Sequence, residues 1–178
     1  MLPPGHVAAG FLTAKALLHF THPALSAAQQ SQLVWWGMFF GFIPDIDTFI
    51  AFAKEKAFFV KNQDNNHRKQ FTHAPVLWFI AGMIVVVLAP STYWRYVGLL
   101  LWLGSWSHFL LDTIQYGIMW IWPLSHKVFA IKDREREFKI EDDSFFAYWW
   151  TFVKAYAKTL TFSLEVIIII SAIYIFIK

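Results

Sequence analysis

Apolar residues gather in long unbroken runs instead of alternating with polar ones. Residues 74–94 contain no Asp, Glu, Lys or Arg, and residues 84–88 are almost pure branched aliphatic. Residues 96–111 form a second uncharged run, and residues 159–177 a third, broken only by Glu165. A helix needs about 20 mostly apolar residues to cross a bilayer, so each run predicts a membrane helix. Pro90, Ser91 and Thr92 part the first two as a tight turn between antiparallel helices. Two earlier runs are interrupted: residues 6–20 include Lys15, and residues 32–53 include Pro44, Asp45 and Asp47. Either is expected to cross at a tilt, dip in, or lie under the other helices. The pattern predicts an all-α, multi-pass chain with about five membrane segments.

The remaining stretches read differently. Residues 127–143 mix Lys132, Asp133, Arg134, Glu135, Arg136 and Glu137 and predict a solvated loop. Residues 144–158 crowd Phe145, Phe146, Trp149, Trp150, Phe152 and Tyr156 beside Lys154 and Lys158, the signature of a helix lying in the membrane interface. The expected organisation is one membrane-embedded domain over residues 1–178: a core to residue 126, the charged loop, the interfacial helix and a final span.

Composition agrees with lipid as solvent. Of the 178 residues, 57% are apolar and 15% charged, with ten Trp and 19 Phe, where a soluble chain carries roughly 25% charged residues. Disorder, a charge-driven nucleic-acid binder and a disulfide-stapled secreted module are excluded. No Cys is present, so thiolate metal sites and thiol catalysis are excluded too. No secretory signal is evident, because the first ten residues carry no Lys or Arg and Lys15 interrupts the first apolar run. The net charge of +3 matters less than its placement. Residues 54–69 hold five Lys or Arg and residues 127–158 hold seven, whereas residues 21–31 hold none and residues 91–96 only Arg95. Positive charge marks the cytoplasmic side. The expected topology therefore has the N-terminus inside a cell inner membrane and the C-terminus outside.

Ionisable residues in or beside apolar segments are costly, and each asks for a partner. They are His6, Asp45, Asp47, His67, Arg68, His73, His108, Asp112 and Glu165. All but Glu165 fall towards the cytoplasmic face in a topology deduced from Lys and Arg alone. His108 and Asp112 are four apart and share a helix face. Asp45 and Asp47, two apart after Pro44, would point the same way on an extended piece. Nitrogen and oxygen donors without sulfur suit zinc, manganese or iron. Seven candidate ligands (His6, Asp45, Asp47, His67, His73, His108 and Asp112) exceed one tetrahedral site, so one or two divalent ions are expected, zinc or manganese foremost. Arg68 is shaped to neutralise a phosphate, and Asp47 is a candidate general base. Glu165 is expected to snorkel to the surface.

These pieces resemble the YdjM-like family of bacterial inner-membrane, predicted metal-dependent hydrolases. The likeness rests on Gly5 to Gly10, on Gly41-Phe42-Ile43-Pro44-Asp45-Ile46-Asp47, on His67-Arg68 leading to Thr72-His73, on Ser107-His108 to Asp112, and on Gly117 before Trp122-Pro123-Leu124. It covers about two thirds of the chain, from Gly5 to Ser125. It departs where the family commonly has Gly and Ser and this chain has Lys69 and Ala74. The resemblance implies a helical membrane protein whose His and Asp residues bind metal and hydrolyse an ester, with a lipid phosphoester as a candidate substrate. The expected partners are membrane lipid and a lipid or phosphorylated small-molecule substrate, with no nucleic acid. The alternative is a non-catalytic membrane scaffold or metal-handling protein whose polar residues pack helices.

Overall fold

The computed structural model describes residues 1–55, 70–115, 117–132 and 144–178. Helix α1 spans Pro3–Thr21, with prolines in its first turn, where a missing N–H costs nothing. It stops at His22, which adopts a left-handed conformation with φ 42°. Helix α2, Ala27–Phe42, starts with a reciprocal capping box between Ser26 and Gln29. Pro44 ends regular helix, and Ile43–Ile46 tightens into a 3₁₀ turn before α3, Asp47–Glu55. A second 3₁₀ turn, Phe71–His73, leads into α4, Pro75–Leu88. Ser91 caps α5, Thr92–Thr113. Helix α6 covers Phe145–Tyr156, and Thr159 caps α7, Leu160–Ile177, by accepting from the Phe162 N–H at 3.1 Å.

Two expectations change here. The apolar run 32–53 is broken at Pro44 into α2, a 3₁₀ turn and α3, and does not cross as one segment. The Pro44–Asp47 piece is 3₁₀, not extended, so Asp45 and Asp47 do not point the same way. Among the described residues, only α7 is both long and apolar enough to cross a membrane; α4 is apolar but has 14 residues. Exposed Ile167, Ile170, Tyr174 and Ile177 line the outside of α7, a surface suited to lipid. The aromatic stretch 144–158 is a helix as expected, with Phe146 and Trp150 exposed and Lys154 Nζ 4.7 Å from the Trp150 ring centre. Of the charged loop, only residues 127–132 are described, held back to the helices by Ile131 and Lys132 N–H bonds to the Thr113 and Ile114 carbonyls.

Small residues let the helices meet backbone to backbone. A methyl group on Gly10 would lie 2.1 Å from the Gly37 carbonyl oxygen, and one on Gly41 would lie 2.5 Å from the His6 carbonyl oxygen. Helices α1 and α2 therefore cross at a distance that only glycine permits, a packing style typical of membrane helices. Gly82 and Gly98 do the same for α4 and α5. Ala14, Leu33, Phe40, Val97 and Leu100 fill the space between α1, α2 and α5. Ala8, Phe11 and Ala172 join α1 to α7. Glu165 lies beside Gly5 and Phe176 beside Phe11, so α1 and α7 run in the same direction.

Candidate metal centre

Four pieces of chain deliver six side chains to one buried cluster. His6 comes from α1, Asp45 and Asp47 from the 3₁₀ turn and the start of α3, His73 from the turn before α4, and His108 with Asp112 from α5. All six are buried, and His6, Asp47, His73, His108 and Asp112 are 0% exposed. The Nε2 atoms of His73 and His108 each lie 3.6 Å from Asp45 Oδ1. His6 Nε2 is 3.3 Å from Asp112 Oδ1 and 4.0 Å from Asp45 Oδ2. His108 Nε2 and Asp112 Oδ2, one helical turn apart, are separated by 3.9 Å. The His6 and His108 rings stack at 3.7 Å with 21° between their planes. The close crossing of α1 and α2 at Gly41 is what lets His6 reach His108.

The imidazoles are oriented from behind. His108 donates its Nδ1–H to the Gly41 carbonyl at 3.0 Å, which leaves Nε2 with its lone pair facing the carboxylates. His73 donates Nδ1–H to Asp47 Oδ2 at 2.9 Å, and the Thr72 hydroxyl donates to the same oxygen. A carboxylate behind a histidine, with Nε2 turned to the cluster, is the common outer-shell arrangement of metal sites. Burial opposes a charged His73, but its hydrogen bonds to Asp45 and Asp47 outweigh that and hold its pKa above the ordinary value. A cation ligated by His73 would take the place of that proton.

The donor set fits a metal. His6, His108 and Asp112 form one group whose ligand atoms lie within 4.8 Å of one another, and Asp45, His73 and His108 form a second. Both ring nitrogens of His6, Nε2 of His108 and Oδ1 of Asp47 are buried without a hydrogen-bond partner among the described residues. Leaving such groups unpaired costs about 1–3 kcal/mol each, and a cation would relieve Nε2 of His6 and of His108. Three carboxylates in one buried patch also call for positive charge. Part of it comes from the Met1 amino group, 2.5 Å from Asp112 Oδ1. The buried His and Asp groups could therefore hold a metal ion.

His67 and Arg68 lie outside the described residues. Glu165 departs from its expected exposure. It is 3% exposed and accepts N–H bonds from Gly5 at 3.1 Å and Leu2 at 3.3 Å, together with the Tyr156 hydroxyl. It thus joins α6 and α7 to the start of α1, one residue from His6. Its signal was its position as the lone acid in an apolar run, which asks for buried donors. Nothing in the sequence pattern pointed to Tyr156, Thr72 or the Gly41 carbonyl as supports of the site.

No curated protein and no solved structure matches this chain. A family model described as the YdjM inner membrane protein matches residues 1–178, well beyond the two thirds over which motifs alone carried the likeness. With that match over its whole length, the chain belongs to the YdjM inner membrane protein family.

Proposed function

We propose that this protein is a membrane-bound, metal-dependent hydrolase acting on an ester or phosphoester of a lipid. The observation that carries the reading is the convergence of His6, His73 and His108 with Asp45 and Asp112 in one buried patch, with His73 and His108 each held from behind. These five residues would hold a divalent cation, zinc or manganese by the chemistry of the donors. His108 has a single nitrogen to give, so a second ion would need a ligand from elsewhere, for which His67 is the candidate. When bound, the metal supplies Lewis acidity and lowers the pKa of a water.

The chain's own residues do the rest. Asp47 fixes the His73 ring, and its Oδ1, without a hydrogen-bond partner among the described residues, is the atom left to take a proton. Arg68 would pair with a substrate phosphate through its guanidinium fork. The family's membrane character and the outward apolar face of α7 support a substrate drawn from the bilayer. The parallel course of α1 and α7 supports a chain that crosses an odd number of times, and the Lys and Arg of residues 54–69 and 127–158 support a cytoplasmic N-terminus and cluster.

The test is hydrolysis of phosphoesters and lipid esters by metal-loaded protein in detergent, wild type beside Asp112→Asn. Turnover by wild type is expected, with at least a tenfold loss in the variant, since one lost or weakened metal interaction costs about 10–100-fold. Tight metal binding without turnover on either substrate class would instead support a metal-handling role. The second reading, a polar helix-packing network, is favoured by one observation: the Met1 amino group and the imidazoles already partner the carboxylates at 2.5–3.6 Å. An absence of bound metal would favour it.

A further inference from the structure

A cavity of about 910 Å³ lies between α1, α2 and α7, and none of the six clustered residues lines it. Its walls are apolar, built from Val7 and Phe11 of α1, Val34 and Met38 of α2, and Ile169 and Ile173 of α7. One end is different. There Lys15 and His19 follow one another along α1 and His22 lies just past its end, with Gln30 and Ser31 opposite them on α2.

The depth of that polar end can be worked out from the helices. Gly5 is beside Glu165, and α1 runs parallel to α7. At a rise of about 1.5 Å per residue, Lys15 lies ~15 Å along α1 from Gly5, level with residue 175 of α7. That is the last turn of α7, which among the described residues is the one helix long and apolar enough to cross a membrane. His19 and His22 lie still further out. The apolar walls thus sit at acyl-chain depth and the polar end at headgroup depth.

Charge decides between occupants. Lys15 is exposed on the groove and has no ion-pair partner among the described residues. A lysine at headgroup depth attracts an anionic lipid by about 1 kcal/mol. The cavity's size falls within the range of about 300–1,000 Å³ typical of small-ligand sites, room enough for an acyl chain. We propose that this groove is a binding site for one anionic phospholipid, its acyl chain between α1, α2 and α7 and its phosphate against Lys15, with His19 and His22 as further donors. The proposal depends on α7 lying in the membrane and not on the hydrolase reading.

The test uses full-length protein purified in detergent and offered phosphatidylglycerol or phosphatidylcholine in mixed micelles, with retained lipid counted by native mass spectrometry. Wild type is expected to keep one phosphatidylglycerol per chain and to prefer it over phosphatidylcholine by roughly fivefold or more, the effect of one basic residue on an anionic lipid. Lys15→Gln should abolish the preference. Ser31→Trp, at an exposed position in the groove wall, should block retention of both lipids while leaving Lys15 in place. Helical content by circular dichroism confirms folding, and the Ser31 variant decides the matter if the Lys15 variant fails to fold. Equal retention of the two lipids by wild type, or a preference that survives Lys15→Gln, would overturn the proposal. So would a chain that retains no lipid and dimerises through this face.

Discussion

The chemistry of the cluster is set by which nitrogen of each imidazole is spoken for. Gly41 and Asp47 occupy Nδ1 of His108 and His73, and both Nε2 atoms then face Asp45. Asp47 consequently supports a ligand in this geometry more directly than it offers one. Removing such an outer-shell partner weakens metal affinity by about 10–100-fold, so Asp47→Ala should show a shift of that size in a metal titration, with helical content intact. A complete loss of metal would place Asp47 among the ligands themselves. At this scale the residue types and their joint location were legible in the sequence, because ionisable groups stand out against apolar runs. The division of labour between Asp45 and Asp47 was not legible. It depends on the 3₁₀ turn at Pro44, which turns one carboxylate to the front of His73 and the other to its back.

Among the elements, the main helices were legible from unbroken apolar runs and their punctuation, but their tethering was not. Pro90 and Ser91 mark the turn between α4 and α5, and Ser91 caps α5. The approach of α1 to α2 through Gly10, Gly37 and Gly41 requires a pairing of distant segments that no local pattern states. The same holds for Glu165, which sits in α7 yet binds the first turn of α1 and Tyr156 at the end of α6. Glu165→Ala takes the acceptor away from the Leu2 N–H and the Tyr156 hydroxyl, at about 1–3 kcal/mol for each buried group left unpaired, whereas the Gly5 N–H keeps its bond to the Leu2 carbonyl. A lower thermal midpoint in detergent is expected, with weaker metal retention because His6 follows Gly5. Tyr156→Phe should produce a smaller decrease. A Glu165 variant as stable as wild type would show that this junction contributes nothing.

In the whole molecule, a buried polar cluster at one end of α1 adjoins an apolar bundle that presents Ile and Phe outwards. Helices α1 and α7 point the same way, so positions 22 and 178 share one end of the bundle and position 158 lies at the other. The absence of Cys makes this directly testable. Single variants His22→Cys and Lys178→Cys should react with a membrane-impermeant thiol reagent from the same side of sealed vesicles, and Lys158→Cys only from the opposite side. Labelling of all three from one side would contradict a crossing by α7. The membrane class was legible from composition alone, since 57% apolar residues leave too few charges to cover a soluble surface. The extent of the family relationship was not, because the motifs end near Ser125 whereas the match continues to residue 178.

Whether the buried histidines and aspartates form a metal centre is decided by mass-spectrometric metal analysis of detergent-purified protein. Wild type should carry at least one equivalent of a divalent transition metal, either as isolated or after zinc or manganese is supplied. The His108→Ala/Asp112→Ala double variant should carry none while retaining its helical content. Metal-free wild type that takes up neither ion would contradict a metal centre and leave the cluster as a network that packs helices.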